Sequence, residues 1–249
     1  MTFKDHFSSL SAQYCAFRPS YPAPLFDYLA GLCRERRSAW DCACGSGQAT
    51  LALAERFESV IATDASPQQI AAASPNPKVT YRVVPAERSG LEPNSIDLVG
   101  VAQALHWFDL DAFYREVERV LRESAVLAVW TYGALHVEGD GIDRLVQEFY
   151  YDIVGPYWPA ERQLVEEGYR RLAFPFAEIT PPPFGMQERW ECARLLGYLR
   201  TWSATGRYLE QTGRDPVTAL EERLSPAWGD PHSVRVVTWP LALRVGRKR

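Results

Sequence analysis

The pattern of apolar and polar positions divides the chain into two halves. Up to residue 133, short apolar runs alternate with segments of helical spacing. Leu25, Phe26, Leu29 and Leu32 recur at three- and four-residue intervals, so 22–35 is expected to be a helix. The run 39–44 is short, apolar and ends at a glycine, as a buried strand would. The segment 48–57 is rich in Ala and Leu and reads as a helix. Further strands are expected at 59–64, 78–84, 95–103 and 125–133, with helices at 66–74 and 110–124 between them. Ser66 and Pro67 supply an N-cap and a favoured first residue for the 66–74 helix. Strands alternating with helices imply a parallel sheet with right-handed crossovers. Nearly continuous apolar strands imply burial on both faces. The expected fold class is therefore α/β, doubly wound.

Beyond Gly133 the pattern loosens. Helix-like stretches with many aromatics occupy 136–170, and a proline-interrupted extended segment follows at 174–190. A single long amphipathic helix is expected over 191–213, ending at Gly213, and another over 216–228. The alternation in 233–247 predicts a closing strand, with Pro240 at a bulge or sheet edge.

Composition narrows the partners. Of 249 residues 47% are hydrophobic, enough for a substantial core, and the net charge is −4. A net-negative chain lacks the basic surface that nucleic acid demands, and the basic ending "RVGRKR" reads as a solvated tail. No apolar run reaches the ~18 residues of a membrane span. The beginning "MTFKDHFSSLSAQY" has no signal-peptide core. Five cysteines, an odd number, fit reduced thiols, so a cytoplasmic location is expected. Cys42 and Cys44 lack a second Cys pair or a neighbouring His, and no metal is expected.

The stretch "WDCACGSGQAT" (40–50) carries the first chemistry. Glycines there permit a positive φ and close backbone approach to a ligand, and the following helix start favours negative charge. Both features suit a dinucleotide. Two details oppose one. Thr50 stands where that fingerprint wants Gly or Ala, and Asp41 would repel a pyrophosphate. A carboxylate at Asp41 suits a ligand bearing an ammonium and a sulfonium. Asp64, at the end of the second strand, is placed by position, spacing and sign to accept hydrogen bonds from ribose hydroxyls; a turn or cap role is the alternative.

Taken together, "DCACGSGQ", "ATDASPQQI", "VPAER" and "VGVAQALHWFD" resemble the successive motifs of class I S-adenosylmethionine-dependent methyltransferases. "QYCAFRPSYP" and "LGYLRTWSA" look like the subgroup that includes trans-aconitate methyltransferase. The resemblance covers nearly the whole chain. It implies a single domain over 1–249, with a Rossmann-like seven-stranded sheet whose last strand is antiparallel. An N-terminal lid (1–35) would precede the cofactor-binding core (36–133). A helical cap insertion (134–232) would follow, then a closing strand and basic tail (233–249). S-adenosyl-L-methionine is the implied cofactor. Asp41, Gly45 and Gly47 match its methionine side, Asp64 with Ala65 the ribose, and Ala86 and Glu87 the adenine. Gln103 and Ala104 match a segment near the methionine moiety, and Tyr14, Arg18 and Tyr21 one that folds over the cofactor. The chain departs from the family pattern at Ala43, where many members have glycine, and at Pro85, where many have an adenine-contacting Asp.

Methyl transfer is an in-line displacement, so the protein supplies alignment and water exclusion. His106 follows the fourth strand and is the candidate catalytic base, titrating near neutrality; a purely local hydrogen-bonding role is the alternative. Trp107 reads either as a pocket wall or as a packing aromatic, and Tyr21, Tyr157 and Trp158 as substrate contacts or plain core. Arg18, Arg170, Arg171, Arg200 and Arg207 are candidates to grip a carboxylate. The expected function is methylation of an O or N atom of a small-molecule metabolite, by a monomer or homodimer. The alternatives are carboxylate esterification without a base, an NAD(P)-dependent oxidoreductase, and a non-catalytic cofactor-binding protein.

Overall fold

The computed structural model describes residues 17–248. Five strands are parallel in the order β3-β2-β1-β4-β5: β1 Ser38–Cys42, β2 Ser59–Asp64, β3 Val79–Val83, β4 Ile96–Ala102 and β5 Leu121–Tyr132. Helices α1 Ala23–Leu32, α2 Gln48–Ala54, α3 Pro67–Ala71 and α4 Leu110–Val120 lie between or before them. This is the expected Rossmann-like α/β sheet. Ser66 caps α3 by accepting from the Gln69 amide, and Pro67 is its first residue.

Period-two alternation divides the strands between two cores. Trp40, Val99, Val101, Leu127 and Val129 face one side with Phe113 and Val117 of α4. Ala39, Leu98, Val126, Ala128 and Trp130 face the other with Leu25, Leu29 and Leu53. Burying each large apolar side chain contributes about 1.5–3 kcal/mol, which is why both faces must be covered by helices.

The closing strand β9 (Arg235–Arg247) is antiparallel to β5, as expected, but it does more than close the sheet. It is long enough to serve two sets of neighbours. Leu241–Arg247 pairs with β5 and, on the other side, with β7 (Ala177–Ile179). Arg235–Thr238 lies against β6 (His136–Val137) and β8 (Gly185–Trp190). The described sheet therefore has nine strands rather than seven. Pro240 sits at the handover from β5 to β6, where its missing N–H breaks no ladder on that side; its carbonyl accepts from Gly133 N at 3.1 Å.

The rest of 134–232 builds a helical layer with its own core. Its helices are α5 Asp140–Glu148, α6 Arg162–Glu166, α7 Cys192–Arg200, α8 Ser203–Thr212 and α9 Pro216–Trp228. Tyr150, Trp190, Leu195, Trp202, Trp228 and Trp239 are buried together there. The single helix expected over 191–213 is broken. Trp202 is extended (φ −73°, ψ 138°), and the Thr201 hydroxyl turns back onto the Tyr198 carbonyl at 2.6 Å. The break lets Trp202 enter the aromatic core, an advantage that helical periodicity does not register. Gly213 ends α8 in the left-handed conformation, as expected.

Candidate active site

The loop between β1 and α2 lies at the C-terminal edge of the parallel strands, where open α/β sheets bind ligands. Three of its residues have positive φ: Ala43 (55°), Gly45 (57°) and Gly47 (93°). A Cβ on Gly47 would lie 2.9 Å from the Tyr81 hydroxyl, so glycine is required there on two counts. Ala43 shows why glycine is common at its position. It holds a left-handed conformation that costs an alanine roughly 1–2 kcal/mol.

Asp41 is fully buried at the end of β1. One carboxylate oxygen accepts from the Thr50 hydroxyl at 2.5 Å; the other, Oδ1, is buried with no hydrogen-bond partner among the described residues. Thr50, which argued against a dinucleotide, thus orients this carboxylate. Burial raises the Asp41 pKa to about 7, the Thr50 hydrogen bond opposes the rise, and the Asp64 charge adds to it. A buried carboxylate with an orphaned oxygen is a receptor for a cation.

Asp64 ends β2 and ties the loop down. Oδ2 accepts from Gly45 N at 2.9 Å and Oδ1 from Ser66 N at 2.8 Å. The turn role is therefore present; each oxygen retains acceptor capacity for a further donor. Ala65 is half-buried beside it. Ala86 is buried, and Glu87 accepts from Asp109 N at 3.1 Å. Asp41, Glu87 and Asp64 all raise the pKa of the Cys42 thiol, after the larger effect of burial. Three carboxylates thus converge on the ends of β1 and β2.

Gln103 follows β4 with φ 57°. Its amide is engaged with β5: Oε1 accepts from the Thr131 hydroxyl at 2.6 Å, and Nε2 donates to the Tyr132 carbonyl at 3.2 Å. Ala104 is buried. His106 sits in the next turn, half-buried, with Nδ1 2.8 Å from the Tyr169 hydroxyl and its ring 4.5 Å from Trp107. Burial, then the Arg162 charge, pulls its pKa down to about 3. Titration near neutrality, expected for an unperturbed histidine, is thereby displaced, because a charged imidazole would lack solvent there. Trp107 is 37% exposed and stacks at a tilt on the His106 ring.

From the N-terminal segment, Arg18 donates to the Tyr132 hydroxyl at 3.2 Å and lies over the Tyr198 ring. Tyr21 packs edge-on to Trp130. Tyr14 lies outside the described residues. In the helical layer a cavity of about 300 Å³ is lined by Tyr150, Trp158, Arg162 and Glu166, among others. Trp158 lines it, whereas Tyr157 packs on Tyr208 instead. Arg162 was not singled out from the sequence. Its Nε donates to the Tyr150 hydroxyl at 2.6 Å, and its guanidinium covers the Trp158 ring at 4.8 Å. The spacing of Arg162 and Glu166 looks like an ordinary surface pair, which hid it. Of the arginines that were singled out, Arg171 pairs with Glu167 and Arg200 with Asp215 and Glu221. Arg207 donates to the Tyr157 carbonyl. Tyr169 and Thr131 carried no sequence signal beyond a lone polar residue in an apolar strand.

Comparison with known proteins settles the family. The methyltransferase-domain profile matches residues 40–129, from within β1 to within β5. A protein of Dictyostelium discoideum named as a methyltransferase is 34% identical over 99% of this chain and 96% of its own length. The chain belongs to the class I S-adenosylmethionine-dependent methyltransferases. A solved structure from Anaeromyxobacter dehalogenans, assigned to the type II methyltransferases, is 48% identical. It covers 93% of this chain and 98% of its own, with a TM-score of 0.88. A Saccharomyces cerevisiae protein named as an S-adenosylmethionine-dependent methyltransferase is 32% identical over 49% of this chain and 45% of its own length. The methyltransferase is thus an enzyme that uses S-adenosylmethionine, and the oxidoreductase and non-catalytic readings fall. Its residues fit that cofactor: the orphaned Oδ1 of Asp41 is a place for a cation beside a glycine-built loop. No helix among the described residues is long and apolar enough to cross a membrane.

Proposed function

We propose that this methyltransferase, of the subgroup around trans-aconitate methyltransferase, modifies an O or N atom of a small-molecule metabolite. The observation that carries the reading is His106, held neutral and half-buried one turn past β4. Bound S-adenosylmethionine supplies a methyl group on a positively charged sulfur. Asp41 would pair with the cofactor's ammonium, Asp64 would accept from its ribose hydroxyls, and Ala86 and Glu87 would line the adenine. Arg18, Tyr21 and the helical layer 134–232 exclude water above the site, with Trp107 and Trp158 lining the acceptor space. A hydroxyl or amine becomes far more acidic as it gains a methyl group. A weakly basic neutral imidazole can therefore take its proton late in the displacement.

One observation favours a second reading. Arg162 places a positive charge near His106 and at the cavity wall. A carboxylate acceptor would pair with that charge and need no base. The two readings separate on the product. Methyl-labelled cofactor incubated with a metabolite extract should give a methylated product stable to mild base. Release of labelled methanol on base treatment would instead identify an ester and retire the O- or N-methylation of a protonated acceptor.

A further inference from the structure

Gly197 of α7 and Gly206 of α8 both lie inside helices, where only proline is a poorer helix former than glycine. Their surroundings differ. Among the described residues, a Cβ at Gly206 would meet nothing within 4 Å. A Cβ at Gly197 would lie 2.3 Å from Phe17 Cε1 and 2.7 Å from its Cδ1 and Cζ. No side chain larger than hydrogen fits there while the phenyl ring is present. Phe17 is half-buried and packs against the core of the helical layer. The gap in α7 is thus filled from a distant part of the chain.

The residues after Phe17 are held across the C-terminal end of β5. Arg18 donates to the Tyr132 hydroxyl at 3.2 Å and lies 5.6 Å from the centre of the Tyr198 ring, beside Gly197 in sequence. Ser20 N donates to the Glu188 carboxylate of β8 at 3.1 Å. Tyr21 meets Trp130 edge-on at 5.8 Å and Tyr132 at a tilt at 6.2 Å. Tyr132 is also where Gln103 is tied down, its carbonyl accepting from Gln103 Nε2. Segment 17–21 therefore bridges the helical layer and the sheet edge that carries the glycine loop. Its polar contacts are exchangeable for water. A phenyl ring drawn out of its gap instead leaves apolar surface in solvent, which makes Phe17 the anchor of the segment.

We propose that Gly197 is a positioning residue: the gap it leaves in α7 is the seat of Phe17, and that seat holds residues 17–21 across the end of β5, over the cofactor. This rests on the reading of Arg18 and Tyr21 as a cover that excludes water. A cover held at one end by an apolar anchor slows escape of the ligand beneath it without touching the reacting atoms.

The test combines hydrogen exchange of the ligand-free protein, followed by mass spectrometry, with calorimetric titration of S-adenosylhomocysteine. Peptides spanning 17–22 should exchange at least about tenfold faster in both Gly197→Ala and Phe17→Ala. Both variants should bind S-adenosylhomocysteine about five- to tenfold more weakly. The double variant should match either single one within about twofold, because the two changes remove one contact. Gly206→Ala should behave as wild type in both measurements. The melting temperature of Gly197→Ala should hold, since alanine favours the helix; affinity lost only together with melting temperature would mean a general loosening of the layer and overturn the proposal. Unchanged exchange in Gly197→Ala, or additive losses in the double variant, would overturn the seat. Faster exchange at wild-type affinity would overturn its role toward the cofactor and retire Arg18 and Tyr21 as a cover, leaving the nature of the acceptor untouched. If Gly197→Ala fails to fold, Phe17→Ala carries the decision by the same two readouts.

Discussion

The ends of β1 and β2 and the acceptor side beside the helical layer are neighbours built in opposite ways. At the strand ends the working contacts are short in sequence: Asp41 to Thr50 spans nine positions and Gly45 to Asp64 nineteen. On the acceptor side His106 reaches Tyr169 across 63 positions, and Arg18 reaches Tyr132 across 114. The first region is electrically negative, with Asp41, Asp64 and Glu87 converging. The second places Arg162 near an uncharged imidazole. A cofactor with fixed charges and hydroxyls can be met by a compact local motif. The contacts of His106 and Arg18 are instead gathered from distant segments of the chain.

The two regions should fail separately when mutated. The largest expected effect is on the acceptor side. His106→Asn should lower kcat about a hundredfold or more, within the range of general base catalysis, with S-adenosylhomocysteine affinity near wild type. A comparable loss of cofactor affinity in steady-state and calorimetric measurements would erase the separation. At saturating S-adenosylmethionine the wild-type kcat/KM for the acceptor should show no histidine limb between about pH 5.5 and 8, because burial and the Arg162 charge pull the His106 pKa down to about 3; a limb near pH 6.5 that disappears in His106→Asn would contradict its burial.

Asp64→Ala should act on the other region. Loss of charge-assisted hydrogen bonds to ribose should weaken cofactor binding at least about tenfold. The same change frees Gly45 N and Ser66 N, so the melting temperature of the ligand-free enzyme should fall as well, a loss of roughly 1–3 kcal/mol. Wild-type affinity for S-adenosylhomocysteine by calorimetry would remove Asp64 from the ribose site. The smallest effect is expected at Ala43. Relief of its positive φ in Ala43→Gly should raise stability by about 1 kcal/mol, seen as a higher melting temperature with activity kept. A lower melting temperature would show that the methyl packs usefully enough to outweigh the strain.

How much of this was legible in the sequence follows the same division. The five parallel strands and α3 with its Ser66 cap are local features, and local patterning found them. The break at Trp202 was missed because a helical repeat continues through it; only the aromatic core of the layer explains why the chain leaves the helix there. The second half of β9 pairs with strands too short to announce themselves, β6 having two residues and β7 three. Asp41 and Asp64 stand out as candidates because charge sign and strand-end position are visible in the sequence alone. Arg162, Tyr169 and Thr131 do not, because each acquires its meaning only from a partner that the topology brings alongside.

The central claim is that the buried carboxylate of Asp41 is built to receive the cation of the cofactor. In the ligand-free fold its pKa is raised from 3.8 to about 7, so the folded state binds more protons than the unfolded one in this range. Its contribution to stability is therefore fullest below pH 3.8 and is lost as pH rises through about 7. A bound ammonium reverses the balance by favouring the ionised form. The direct measurement is calorimetric titration of S-adenosylhomocysteine at pH 6 and pH 8, each in two buffers of different ionisation enthalpy. Binding at pH 6 should release close to one proton, binding at pH 8 almost none, and affinity should rise about tenfold between them. Proton uptake, or an affinity and enthalpy independent of pH and buffer, would contradict the assignment of Asp41.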